Sequence, residues 1–296
     1  VTPTSSLDPH AVFRRHSRTF SAAAALLAPS AQDAIATVYL FCRTVDDLAD
    51  EHADADALAA LADELRGLRP PSPTTAGLLA LRPLGVPIDA AAQLVDGCRT
   101  DLGAVRVPDE AALVRYGYLV AGTVGRLTSP LLGVTDPTAT RFAVDLGIGM
   151  QLSNIARDVG EDAARDRVYL PATWLAEAGL GDSDVLRGGR DADVATVVAR
   201  TVALAERYYD SAERGFPAIP LRARVAVAWA ARRYRDIGRE AVRRGASAVR
   251  SRTVLPRHRQ AWWLAAAPFV ALSAGTGPHD DALHAPLLGL LGPEAT

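Results

Sequence analysis

Apolar positions recur at helical spacing through most of the chain, interrupted by clusters of proline and glycine. Alanine, leucine and arginine, all good helix formers, fill these runs, and stretches of β-branched residues are scarce. The pattern predicts helices at Pro9 to Leu27, Ala31 to Ala53, Ala55 to Gly67, Asp89 to Leu102, Glu110 to Leu132, Ala139 to Ala164, Asp191 to Gly215, Arg222 to Arg244 and Arg259 to Ala274. Breaks fall at Pro70-Pro71-Ser72-Pro73, Gly133 to Pro137, Leu180 to Gly189 and Pro217 to Pro220. Each break is short and sits between helices, so none reads as a domain linker. The expectation is one all-α domain over residues 1–296.

Two of these helices invert the usual amphipathic pattern, in which the apolar stripe is the narrow one. In the first, Tyr39, Arg43, Asp46 and Asp50 fall at offsets 0, 4, 7 and 11 and form one polar stripe among Val38, Phe41, Cys42, Val45, Leu48 and Ala49. In the second, Gln151, Asn154, Asp158 and Asp162 fall at offsets 0, 3, 7 and 11, with Arg157 beside them. Ile148, Leu152, Ile155 and Val159 make a separate stripe on that helix that can face a core. Carboxylates four apart on a helix are neighbours, about 5–6 Å between Cβ atoms. Burying two unpaired anions so close together is costly, and a divalent cation removes the conflict. Magnesium is typically held by carboxylates, waters and substrate phosphates, and Arg43 and Arg157 would add phosphate contacts. Pairing with nearby arginines would also satisfy the carboxylates. Spacing alone therefore goes no further than a site for metal and phosphate between helices.

Charge and composition narrow the classes. A formal net charge of -2 and a pI near 6.3 argue against broad nucleic-acid binding. With 49% apolar and 22% charged residues over 296 positions, the chain can build a large core. Cys42 and Cys98 read as reduced, buried thiols, too few for a cysteine zinc site. The first residues lack a basic-then-apolar signal pattern, and no apolar run reaches the roughly 20 residues of a spanning helix. The expectation is a cytoplasmic protein. The stretch from Ala261-Trp-Trp-Leu to Leu272 reads either as a surface resting on a membrane or as a helix packed on the domain; its shortness and Pro268 favour packing. Oligomeric state leaves no signature in the sequence.

At the two acidic runs the chain resembles the squalene and phytoene synthase family of head-to-head prenyl transferases. The resemblance rests on His16-Ser-Arg-Thr-Phe20, Tyr39 to Glu51, Asp96 to Leu102, Tyr116 to Gly125 and Gln151 to Pro171, with Tyr234-Arg-Asp-Ile237 and Arg252 as weaker matches. It covers residues 10 to 260 or so, and it implies an all-α isoprenoid-synthase bundle with a central cavity. It also implies condensation of two prenyl diphosphates with Mg²⁺, or alternatively Mn²⁺. Carried over residue by residue, Asp46, Asp50, Asp158 and Asp162 match the metal ligands, and Asn154 is placed to join them. Gln151, Arg43, Arg157, Tyr234 and Arg252 match substrate contacts, as do Ser17, Thr19 and Phe20 near the other diphosphate. Tyr39, Tyr116 and Tyr169 match site-lining tyrosines. The small Ala121, Gly122 and Gly125 permit close helix approach or leave space for a prenyl tail. Two positions depart from the family: Asp166 stands where Gly is frequent, and Leu127 where Met is frequent. Asp166 puts the cavity rim, and with it substrate size, in question.

The resemblance implies a reaction through a cyclopropylcarbinyl diphosphate. Small residues from Ser21 to Ala25, and Ala34, Ala36 and Thr37 on the next helix, leave few bulky stoppers if those faces line the tail pocket. Each extra buried CH₂ is worth about 0.8 kcal/mol, so a wide pocket favours C20 tails. The expectation is two geranylgeranyl diphosphates giving phytoene. The alternatives are farnesyl diphosphate giving presqualene diphosphate, dehydrosqualene or squalene; a terpene cyclase on the same scaffold; and a non-catalytic relative, against which the four retained aspartates argue.

Overall fold

The computed structural model describes residues 29–292. The helix expected at Pro9 to Leu27, with Ser17, Thr19 and Phe20, lies outside the described residues. The described chain is built from α1 (Pro29–Asp50), α2 (Ala55–Leu65), α3 (Pro73–Leu79), α4 (Ile88–Arg99), α5 (Glu110–Gly117), α6 (Thr123–Thr128), α7 (Thr140–Ala163), α8 (Ala172–Glu177), α9 (Asp182–Arg187), α10 (Asp191–Arg214), α11 (Leu221–Arg244), α12 (Ala246–Arg250) and α13 (Arg257–Ser273). Two short strands, β1 (Val105–Arg106) and β2 (Arg167–Val168), pair in parallel with Val105 opposite Arg167. That pairing ties the segment after α4 to the segment after α7, and so sets two separate stretches of the site side by side.

Local chemistry sets the ends. Asp54 caps α2 by accepting the Ala57 amide at 2.9 Å, and Asp109 caps α5 through the Ala112 amide at 2.8 Å. The sequence pattern expected one helix from Glu110 to Leu132. The structure instead widens to a π-helical turn at Tyr118–Gly122 between α5 and α6, and Pro130 opens a separate 3₁₀ turn. The expected break from Leu180 to Gly189 contains α9, where Asp184 accepts the Gly181 amide at 2.8 Å. α3, α8 and α12 also went unforeseen. Each of these four helices has only five to seven residues, too few for a 3.6-residue period to show.

Two apolar cores flank a central cavity. Val38, Phe41 and Val45 of α1 pack with Leu58 of α2, Leu94 of α4 and Leu127. Around α7, the stripe Ile148, Leu152, Ile155 and Val159 is buried with Val198, Val202 and Tyr209 of α10. α7 crosses the Tyr118–Thr128 helix almost backbone on backbone. A Cβ added at Gly125 would stand 2.3 Å from the Ala143 carbonyl oxygen, and one at Gly147 would stand 2.3 Å from that of Ala121.

Both family departures have structural accounts. Leu127 is fully buried in the first core, where Leu and Met exchange at similar volume. Asp166 sits at φ 58°, in the left-handed region that glycine enters freely and Asp tolerates better than most residues. Its carboxylate pairs with Arg106 across the β1–β2 junction. The residue adjusts a turn and is absent from the cavity lining, so the concern over the rim is not supported by its position.

α13 packs on α11. Ala267 and Ala271 are buried, and buried Asp236 of α11 accepts the Trp263 indole N–H at 2.9 Å and pairs with Arg259. Its outer side leaves Trp262, Leu264, Phe269 and Leu272 exposed. No described helix is long and apolar enough to cross a membrane.

Candidate active site

A cavity of about 710 Å³ lies between α1, α4, the α5–α6 helix, α7 and α11. Its polar end gathers Tyr39, Arg43, Asp46 and Asp50 from α1 with Gln151, Asn154, Arg157, Asp158 and Asp162 from α7. Tyr116, Tyr169, Tyr234 and Arg252 complete the set, so every described residue matched to metal or substrate contacts or to the site-lining tyrosines borders one space. The apolar end is walled by Val124, Phe142, Leu146, Phe216 and Ile219, among others.

The small-residue argument for the tail pocket chose the wrong face of α1. Ala34 and Ala36 are buried away from the cavity, and the Thr37 hydroxyl donates to the Asp33 carbonyl at 3.0 Å. Helical periodicity turns Ile35, Val38, Tyr39 and Cys42 inward instead. The apolar wall therefore contains branched and aromatic side chains as well as small ones. Ala121 and Gly125 do double duty, lining the cavity while permitting the close crossing with α7.

The two acidic pairs share one electrostatic pattern. Asp50 is held by Arg167 at 2.7 Å and Arg165 at 3.2 Å. Asp158 takes the Arg157 Nε–H at 2.8 Å, with Arg252 Nε 3.5 Å away. The other member of each pair makes no ion pair among the described residues. Asp46 opens onto the cavity, and among the described residues its one hydrogen bond is from the Cys98 thiol at 3.7 Å. Burial, reinforced by neighbouring Asp50, pushes its carboxyl up to about 7. Among the described residues no side chain pairs with Asp162, and burial together with Asp158 likewise pushes its carboxyl up to about 7. The internal arginine pairing considered from the sequence thus satisfies half of the carboxylates.

Asn154 supplies an independent sign. Its Nδ2 donates to Gln151 Oε1 at 3.3 Å, while its buried Oδ1 has no partner among the described residues. Buried polar atoms are rarely left this way, and an orphaned oxygen beside Asp158 suits a hard cation. Arg43 is engaged by Asp47 and by Glu51 Oε1, the latter at 3.2 Å, on the same helix. Both contacts use Nη2, and its buried Nε has no partner among the described residues, which leaves a donor for a phosphate oxygen.

Sequence reasoning missed Asp101. Its two carboxylate oxygens accept the Tyr116 hydroxyl at 2.9 Å and the Tyr169 hydroxyl at 2.6 Å, and the two rings stack at 4.7 Å. Burial raises its carboxyl, against the opposing effect of both hydroxyls and of Arg167. Arg167 binds the Asp101 carbonyl at 2.6 Å through one nitrogen and Asp50 through another. The Asp96-to-Leu102 run contained the signal, but nothing local says that residue 101 meets residue 169. Asp101→Asn should preserve the fold and the stacking while weakening the hold on both hydroxyls. The expected result is roughly a 10-fold loss in kcat with little change in KM, equivalent to about 1.4 kcal/mol of barrier. Steady-state kinetics checks it, and an unchanged kcat would remove Asp101 from the site.

Comparison with known proteins adds the decisive point. A sequence model described as squalene/phytoene synthase matches residues 13–259. This chain belongs to the squalene/phytoene synthase family. It is 34% identical over 277 residues to a phytoene synthase of Pseudescherichia vulneris, covering 88% of this chain and 90% of that protein. It is 38% identical over 232 residues to a phytoene synthase of Thermus thermophilus, covering 76% and 79%. Among solved structures, a dehydrosqualene synthase in complex with ligand superposes with a TM-score of 0.75 at 24% identity, covering 90% of this chain and 95% of that one. That likeness confirms the helical isoprenoid-synthase fold. A squalene synthase of Alicyclobacillus acidocaldarius gives a TM-score of 0.70 at 25% identity, covering 81% and 94%.

Proposed function

We propose that this chain condenses two molecules of geranylgeranyl diphosphate head to head to phytoene, with Mg²⁺. As a member of its family it is a prenyltransferase acting on prenyl diphosphates with a divalent metal. The observation that carries the reading is the cavity itself. Two acidic pairs, each with one carboxylate outside any ion pair among the described residues, stand in one cavity with an apolar wall. The choice of C20 substrate is supported by the relatives, which are phytoene synthases at 32–38% identity.

Asp46, Asp50, Asp158 and Asp162, joined by Asn154 Oδ1, would hold the metal. When bound, divalent cations neutralise the carboxylates and the charge on a departing diphosphate. The arginines contribute forked donors to phosphate oxygens: Arg157 and Arg252 beside Asp158, Arg165 and Arg167 beside Asp50. In the first step the C–O bond of one substrate breaks and the alkene of the second attacks the allylic carbon. Loss of a proton closes the cyclopropane. In the second step the remaining C–O bond breaks, the cation rearranges, and loss of a second proton gives the linear hydrocarbon. Tyr116 and Tyr169 direct their hydroxyl protons at Asp101, which leaves electron-rich rings and oxygens as the chain's own contribution to stabilising cations. The apolar wall excludes water that would quench them.

Incubation with Mg²⁺ and either the C20 or the C15 diphosphate, followed by mass spectrometry of extracted products, tests the assignment. A linear C40 hydrocarbon from the C20 substrate is expected. A C30 product made only from the C15 substrate would replace the substrate, and a cyclic product from one prenyl unit would replace the reaction. Absence of turnover would indicate a non-catalytic relative.

The exposed apolar side of α13 supports a further element of this reading, peripheral contact with a lipid surface. Trp262, Leu264, Phe269 and Leu272 are each more than half exposed, and interfacial helices use such residues to enter the headgroup boundary. Co-sedimentation with phosphatidylcholine vesicles should fall in Phe269→Asp. Equal pelleting of both proteins would remove α13 as the contact.

A further inference from the structure

A second cluster of metal-binding side chains lies outside the cavity. Asp145 of α7 has a fully buried side chain and does not line the catalytic space. His279 and His284 approach it from the segment after α13, beyond residue 259, where the family match ends. His279 Nε2 lies 3.0 Å from Asp145 Oδ2, and His284 Nε2 lies 2.8 Å from Asp145 Oδ1. The ring centroids are 4.3 Å apart. One carboxylate oxygen and two ring nitrogens, all within 4.8 Å of one another, thus converge from chain segments more than a hundred residues apart. We propose that Asp145, His279 and His284 form a structural site for a zinc-class divalent cation that fastens the C-terminal segment to α7.

The surroundings fit that role. A metal-binding histidine usually gives its other ring N–H to a carboxylate, which fixes the tautomer and turns the free nitrogen toward the ion. His279 Nδ1 lies 3.1 Å from Asp281 Oδ1, and Arg141 Nη1 holds that same oxygen at 2.7 Å. Phe142 packs edge-on against the His279 ring and limits its rotation. Donor atoms around a tetrahedral zinc stand about 3.3 Å apart, so the histidine contacts to Asp145 at 3.0 and 2.8 Å would lengthen by a few tenths of an ångström to admit the ion, with water as the fourth ligand.

Donor chemistry separates this site from the catalytic one. The cavity offers carboxylate and amide oxygens, which suit Mg²⁺. Two imidazoles and one carboxylate suit Zn²⁺ or Co²⁺. The consequence would be mechanical. α7 carries Gln151 to Asp162, and a bound ion would join its first half to the segment from 279 to 284. Other bonds hold that segment independently: the Tyr208 hydroxyl donates to the Leu283 carbonyl at 2.9 Å, and Arg115 Nε to the Pro286 carbonyl at 2.9 Å. Loss of the histidines should therefore leave the fold intact.

The test uses the full chain, stripped with a chelator and then given Co²⁺ in excess Mg²⁺, so that the oxygen-rich cavity is already occupied. The expected result is one tightly held Co²⁺ per chain with the strong visible bands of tetrahedral coordination, displaced by Zn²⁺, and a Tm that rises with Zn²⁺. His284→Ala should abolish the bands. His279→Gln, which keeps an N–H for Asp145 and so protects folding, should abolish them too, and Asp281→Asn should weaken binding about 10-fold or more. A double variant carrying Asp46→Asn and Asp158→Asn should bind Co²⁺ unchanged, whatever becomes of activity. Absence of the bands in the unaltered chain, or bands that survive in His279→Gln, would overturn the site.

Discussion

Asp158→Asn is expected to lower turnover by roughly 10²–10³-fold while leaving the helical content unchanged. That is the usual loss when one group stabilising developing charge is removed, about 2.7–4 kcal/mol of barrier. The amide keeps the shape of the carboxylate but removes the charge that partners Arg157 and Arg252. It also removes a ligand from the pair with Asp162. Asp46→Asn should act similarly from the opposite helix. Asp46 makes only a long thiol contact at 3.7 Å, so its loss costs the fold little, and removing its charge relieves repulsion with Asp50. Turnover measured beside circular dichroism separates the two effects. Near-normal turnover in either variant would remove these aspartates from the proposed metal set.

The second large effect is on stability. Gly147→Ala should destabilise the fold by about 3 kcal/mol or more, at the upper end for overpacking. The new Cβ would stand 2.3 Å from the Ala121 carbonyl oxygen and 2.6 Å from its carbon. Both are backbone atoms, so no side chain can swing away to make room. The contact is reciprocal, since Gly125 faces the Ala143 carbonyl in the same way, and relieving one clash means separating the helices at both points. For a chain of this size the Tm should fall by about 6–12 °C. Ala121, Gly125, Ala143 and Gly147 all line the cavity, so activity should fall below what the loss of folded protein explains. An unchanged Tm would mean that α7 and the Tyr118–Thr128 helix part freely.

How much was legible follows from the range of each interaction. The stripes on α1 and α7 depend only on helical spacing, which any stretch of sequence displays, and the cavity gathers the described members of both. The apolar stripe from Ile148 to Val159 faces a core for the same reason. The choice of Ala34, Ala36 and Thr37 as tail-pocket residues failed because spacing defines faces without saying which face meets the cavity. The short α3, α8, α9 and α12 escaped because their positions are held by packing and by single caps rather than by a repeating pattern.

The sequence by itself determined the helical class, the two acidic stripes and the family. These rest on residues within a few turns of one another, or on runs that stay intact along the chain. Only the tertiary structure decided which carboxylate of each pair keeps an arginine, because Arg167 reaches Asp50 across 117 residues. It alone placed Asp101 between Tyr116 and Tyr169, and Asp145 between His279 and His284, the latter across more than 130 residues. Such meetings are fixed by how helices cross, and glycines at a crossing or a two-residue strand pair set that geometry without leaving a periodic trace.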